Sequence, residues 1–99
     1  MLEKQIETYL YNECLKRGWL CEKFTSPGRR SVPDRIITAP GPVIFFVECK
    51  APGKTATNLQ YMDHQRRIKL GCDVRVVDTK KVVDVVIKQV EEKVCRTKR

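Results

Sequence analysis

The chain predicts one α/β domain, a mixed β-sheet flanked by helices, with its elements in the order α-β-β-β-α-β-α. Three observations point that way. Apolar residues recur at helical spacing near both ends, the middle carries the wholly apolar run VIFFV, and short Gly- and Pro-containing turns separate the segments. At 99 residues the chain has room for one core. Folding a body of this size hides roughly two thirds of the unfolded chain's surface, so association with a partner would add stability. There are no internal repeats, low-complexity tracts or linkers, and the domain is placed at residues 1–95 with a basic tail, 96–99, behind it.

Leu2, Ile6, Leu10 and Cys14 repeat every fourth position, predicting a helix over residues 2–17 that Gly18 terminates. At about 100° per residue, Glu3 falls on the rim of this apolar stripe and Glu7 lies further round toward solvent. WLCEKF, residues 19–24, has strand character, and TSPGRRSVP after it joins turn formers to two adjacent arginines, an exposed basic loop. PDRIITA and PVIFFVECK flank Pro40, Gly41 and Pro42 and predict an antiparallel hairpin. Being apolar on both faces, VIFFV reads as a central strand covered on each side. The loop APGKTAT leads into a helix over 58–70 whose amphipathicity is weak, and its ends define it instead: Thr57 with Gln60 spaced as a capping box, and Gly71 as a stop. DVRVVD, 73–78, alternates as a strand, and Val83, Val86, Ile87, Val90 and Val94 mark the last helix.

Twenty Lys and Arg against twelve Asp and Glu leave a net charge of +8, a field suited to polyanions, though a solvated surface has the same composition. The five cysteines, Cys14, Cys21, Cys49, Cys72 and Cys95, are odd in number and show neither a CxxC pair nor zinc-site spacing, so they read as reduced thiols of a cytosolic protein. The start, MLEKQIETYL, mixes charge with apolar residues, unlike a signal peptide, and no stretch approaches the roughly 18 apolar residues of a membrane span. An intracellular protein without a membrane partner is expected.

The run FFVECKAPGK ends the most apolar strand in opposite charges. Alternation puts Glu48 and Lys50 on one face with Cα atoms roughly 7 Å apart. Asp34 opens the partner strand as Glu48 closes its own, so the hairpin brings both carboxylates to the same end of the sheet. Two acids and a lysine suit a hard divalent cation, which takes oxygen ligands, keeps waters and shares substrate phosphate; the main-chain carbonyl of Cys49 offers a third protein oxygen. A lysine beside such a cation can orient water or stabilise charge on a phosphate oxygen. The plainer reading makes Asp34 a turn cap after Pro33 and Glu48–Lys50 an ion pair at a sheet edge, of little energetic worth. The combination of a Pro-Asp step, a hairpin of matching length and ExK at the end of the most apolar strand favours the chemical reading.

With these residues in place, the chain resembles the PD-(D/E)xK nuclease superfamily and, more narrowly, its VRR-NUC (virus-type replication-repair nuclease) family. The likeness runs over most of the chain, through EKQIE, KFTSPGRRSVPDRI, FFVECKAPGK, Gln60 and the helix into LGCDVRVVD. It implies a restriction-endonuclease-like fold, Asp34 and Glu48 as metal ligands, Lys50 as catalytic lysine, Gln60 as an active-site glutamine, and a glutamate of the first helix. For this last role Glu3 is preferred, with Glu7 as the alternative. Ser31 stands where a glycine commonly precedes the Val-Pro-Asp step. The resemblance further implies Mg²⁺ or Mn²⁺ as cofactor, one or two ions per site, and a homodimer cutting branched DNA such as Holliday junctions in a bacterial or phage-infected cell.

Lys23, Arg29, Arg30 and Lys54 border the expected site and are read as contacts to flanking phosphates. Gln60 also has a purely local role as a helix cap. His64, the sole histidine, lies mid-helix without a metal-site spacing and reads as a surface or partly buried residue, while Trp19 and Tyr61 read as core or subunit contacts sooner than as base-stacking groups. The competing functions are a non-catalytic basic nucleic-acid-binding module and a small protein-binding regulator. The first would bind DNA in chelator and without Asp34; the second would show no salt-dependent DNA binding.

Overall fold

The computed structural model describes residues 1–97, and Lys98 and Arg99 of the expected basic tail lie outside the described residues. The expected element order is what the chain adopts: α1 (Glu3–Lys16), β1 (Leu20–Lys23), β2 (Arg35–Ala39), β3 (Val43–Cys49), α2 (Asn58–Lys69), β4 (Val74–Val77) and α3 (Lys80–Thr97). Arg96, placed in the tail by its charge, instead continues the last turn of α3.

The four strands lie in the order β1-β2-β3-β4. β1, β2 and β3 form an antiparallel meander, with Arg35 opposite Val47 and Ala39 opposite Val43 in the β2–β3 hairpin. The α2 crossover then returns β4 parallel to β3, pairing Glu48 with Val76 and Cys49 with Val77.

Alternation along β3 divides the molecule. Phe45, Val47 and Cys49 point into a core with Ile6, Leu10 and Cys14 of α1, Ile37 and Ala39 of β2, Val77 of β4, and Val83, Val86, Ile87, Val90 and Val94 of α3. No residue of α2 belongs to that core. The other face carries Ile44, Phe46 and Glu48, and there the expectation of full cover fails: Ile44 is 53% exposed while Glu48 is 2% exposed. Cover is graded because α2 lies over only the Glu48 end of the strand. The helix meets the sheet through Gln60, His64 and Arg67 and the basic loop through Asp63, spaced i, i+3, i+4, i+7, so its inward stripe is polar. This explains the weak amphipathicity, and the ends of α2 follow the capping expectation, with the Gln60 main-chain N–H donating to the Thr57 hydroxyl and the Gln60 side-chain Oε1 accepting from the Thr57 N–H.

Candidate active site

Asp34 is set by its flanks. Pro33 before it is fully buried, and the Asp34 carbonyl accepts from the Phe24 N–H at 2.9 Å, which closes the neck of the basic loop. Arg35 pairs with Val47, so Asp34 stands opposite Glu48 at the end of the hairpin. The Asp34 Oδ2 accepts from the Cys49 main-chain N–H at 2.8 Å, locking its carboxylate against the end of β3.

Glu48 belongs to a central strand and is sealed under α2. Gln60 Nε2 lies 3.4 Å from its Oε2 and His64 Nε2 lies 3.5 Å from its Oε1. Burial, then the charge and close contact of Asp34, push its carboxyl from the ordinary 4.5 up to about 8; Lys50 opposes this and Glu3 adds to it. The edge ion pair of the plainer reading is thereby removed, since a surface salt bridge would leave the glutamate solvated and acidic. Lys50 emerges two residues on, its main-chain N–H donating to the Val77 carbonyl at 2.9 Å, so β4 holds the position from which its side chain starts.

The two glutamates of α1 exchange the environments that a helical wheel assigns. Glu3 is exposed but close enough for its charge to act on Glu48. Glu7 is half-buried, with Arg35 Nε 2.7 Å from its Oε2, because β2 projects Arg35 across the flank of α1. Glu3, Lys4, Glu7, Thr8, Lys23 and Arg35 line a cavity of about 300 Å³. Thus Asp34, Glu48, Lys50, Gln60 and Glu3 come together at one end of the sheet, while Glu7 is engaged by Arg35.

No family model matches the chain. A protein of Acyrthosiphon pisum secondary endosymbiont phage 1, described as "Putative nuclease p44", is 48% identical over 77 residues, spanning 78% of this chain and 83% of its relative. A solved structure described as a VRR_NUC domain superposes with a TM-score of 0.82 at 32% identity, covering 87% of this chain and 94% of the other. The chain belongs to the VRR-NUC nuclease family.

In this VRR-NUC chain the basic residues divide. Ser26-Pro27-Gly28-Arg29 and Ala51-Pro52-Gly53-Lys54 are two turns of one kind: the Arg29 N–H reaches the Ser26 carbonyl at 3.2 Å, the Lys54 N–H reaches that of Ala51 at 3.0 Å, and Gly28 and Gly53 take φ of +79° and +78°. Proline at the second position and left-handed glycine at the third fit a type II turn, and each turn delivers a basic residue at its fourth position. Lys23, Arg30 and Lys54 are exposed. Arg29 is not simply solvated, because Asp63 of α2, only 2% exposed, accepts from its guanidinium at 2.6 Å and from Arg67 at 2.7 Å. Arg67 in turn lies over Phe24 and Phe46, 5.0 and 5.1 Å from the ring centroids. The loop carrying Arg29 and Arg30 is thus tied to α2.

His64 corrects the sequence reading most. It is 4% exposed and faces Glu48, in place of the surface or partly buried position expected. The signal was available: His64 follows Gln60 by four residues, so a helix that shows Gln60 to the site shows His64 beside it. Trp19 is in the core as expected, whereas Tyr61 is 58% exposed and packs into no core. All five cysteines are free thiols.

Whether the site suits a divalent cation is tested by its orphaned atoms. Glu48 Oε1 is buried with no hydrogen-bond partner among the described residues, in a carboxyl that burial and Asp34 hold against ionisation. An unpartnered carboxylate oxygen beside a second carboxylate is what a hard cation would relieve. Among the described residues no three His, Cys, Asp or Glu side chains form a ready cage. A pair of carboxylates, Asp34 and Glu48, with main-chain oxygen would fit the sparing use of protein ligands by Mg²⁺.

Proposed function

We propose that this VRR-NUC nuclease is a Mg²⁺- or Mn²⁺-dependent endonuclease that hydrolyses DNA phosphodiesters at the Asp34–Glu48–Lys50 end of the sheet. The observation that carries the reading is the buried Glu48 carboxyl, pushed up to about 8 beside Asp34, with Lys50 on the same face of the strand. Such a pair of acids is costly for a small fold to keep unless a cation or proton resolves it. Asp34 and Glu48 would hold the ion, with the Cys49 main-chain carbonyl as a third oxygen. When bound, the ion supplies charge neutralisation at a phosphate and acidifies water.

The remaining roles belong to the chain's own residues. Lys50 places an ammonium where charge develops on a phosphate oxygen and orients the attacking water. Gln60 steadies Glu48, and Glu3 adds a carboxylate at the solvent side. Lys23, Arg30 and Lys54 bind flanking phosphates from loops beside the site, and Arg29 joins them at the edge of its bond with Asp63. Branched DNA, such as a Holliday junction, is the proposed substrate, with the work of replication and repair done in the cytoplasm of a bacterial or phage-infected cell. Among the described residues no helix is long and apolar enough to cross a membrane. A homodimer is proposed for a two-fold substrate; Leu59, Tyr61 and Met62 on α2 and Leu70 just after it, between 58% and 86% exposed, supply apolar surface for a second copy.

The deciding experiment incubates wild type, Asp34→Asn and Lys50→Ala with labelled duplex, single-stranded and four-way-junction DNA in Mg²⁺, Mn²⁺ or EDTA. Cleavage by wild type in metal alone, lost in both variants, is expected. Intact substrates throughout overturn the endonuclease, and binding that survives EDTA and Asp34→Asn would then identify a non-catalytic basic module.

A further inference from the structure

Beyond the three motif residues, α2 presents two side chains to Glu48, one to each carboxyl oxygen. Gln60 Nε2 is 3.4 Å from Oε2, and one helical turn later His64 Nε2 is 3.5 Å from Oε1. His64 Nε2 and Glu48 Oε1 are both buried and neither has a hydrogen-bond partner among the described residues, although each is the other's nearby complement. Leaving two such atoms buried and unpaired is unfavourable. A shift of a few tenths of an ångström would satisfy both.

We infer that His64 is a positioning residue of the nuclease: its Nε2–H donates to Glu48 Oε1 and, with Gln60 on Oε2, fixes the carboxylate plane against Asp34 for a divalent cation. The inference rests on the metal-dependent reading above. Groups that hydrogen-bond a metal's carboxylate ligand orient it, and their loss costs about 10- to 100-fold in metal affinity or activity.

The chemistry of the ring distinguishes this role from core filling. Glutamine places an amide nitrogen about where Nε2 lies, asparagine reaches only as far as Nδ1, and leucine fills space without a donor. Mn²⁺ binding, followed by electron paramagnetic resonance on the DNA-free protein, is to be measured for wild type, His64→Gln, His64→Asn and His64→Leu, with thermal unfolding of each and junction cleavage as a second readout. Affinity within a few-fold of wild type is expected for His64→Gln, with about 10- to 100-fold weaker binding for His64→Asn and His64→Leu whatever their melting temperatures. Wild-type Mn²⁺ affinity in folded His64→Leu overturns the positioning role alone. A wild-type protein that neither binds Mn²⁺ nor cleaves in it overturns the metal-dependent reading and this inference together. Melting temperatures that fall in step across all three variants, with Mn²⁺ affinity unchanged in the folded protein, assign His64 to packing.

Discussion

The two faces of β3 are built from the same seven residues and obey opposite rules. Toward α1 and α3, Phe45, Val47 and Cys49 are each 0% exposed and pack into the apolar core. Toward α2, the strand passes from exposed Ile44 through half-buried Phe46 to sealed Glu48, and the helix answers with an amide, an imidazole, a carboxylate and a guanidinium. One face stabilises by removing apolar area from water; the other uses the resulting rigidity to hold groups that would be unfavourable anywhere else. A small fold can keep a carboxyl such as Glu48 buried because the strand beneath it is anchored from behind.

The largest effect should come from the apolar side. Phe45→Ala removes a fully buried aromatic from the middle of the sheet and should destabilise the protein by about 3–5 kcal/mol in chemical denaturation. A loss below about 1 kcal/mol would mean that the core does not carry the fold as described. Next in size is the reverse case on the chemical side. Lys50→Ala should lower cleavage by about 10²–10³-fold, the scale of losing one preorganised charge-stabilising group, with little change in melting temperature. A variant that loses both stability and activity in parallel would erase the division between the faces.

The element order and the apolar stripes could be read from the residues because both rest on periodicity, which is local. Asp34, Glu48 and Lys50 were readable too, since alternation in a hairpin places them without knowledge of packing. Environment was harder. The helical wheel ranked Glu3 above Glu7 for burial, but Arg35, from a strand twenty-eight residues beyond Glu7, decided otherwise. His64 and Asp63 were missed for a related reason: a search for an apolar stripe finds nothing on α2, whose inward residues are polar because the sheet they cover is itself charged. A helix without an apolar face, placed directly after a charged strand end, is the pattern that would have exposed them.

A third prediction concerns pH. The Glu48 carboxyl ordinarily titrates at 4.5 and is held at about 8 in the folded chain. The folded protein therefore binds a proton that the unfolded chain has released, so the contribution to stability is complete below about 4.5 and is lost as pH rises through about 8. In EDTA the melting temperature should fall over that interval, and Glu48→Gln should flatten the slope. Divalent cation should restore more stability at the alkaline end, where the site has lost its proton. A wild-type profile in EDTA that is flat, or that rises with pH, would show that the carboxyl is ionised without cost.

The smallest effect tests the same strand one residue from the largest. Ile44 shares the α2 side of the sheet with Glu48 but lies beyond the end of the helix's cover, at 53% exposure. Ile44→Ser should change monomer stability by no more than about 0.5 kcal/mol, as for other surface substitutions. Because Ile44 and Phe45 are adjacent in sequence, local strand propensity acts on both, and the contrast with Phe45→Ala isolates the contribution of the face. If Ile44→Ser instead costs several kcal/mol at high protein concentration and little on dilution, the exposed end of this face is buried by a second copy of the chain. Ultracentrifugation of the same variant would then show dissociation, turning the weakest position in the monomer into evidence for where the dimer forms.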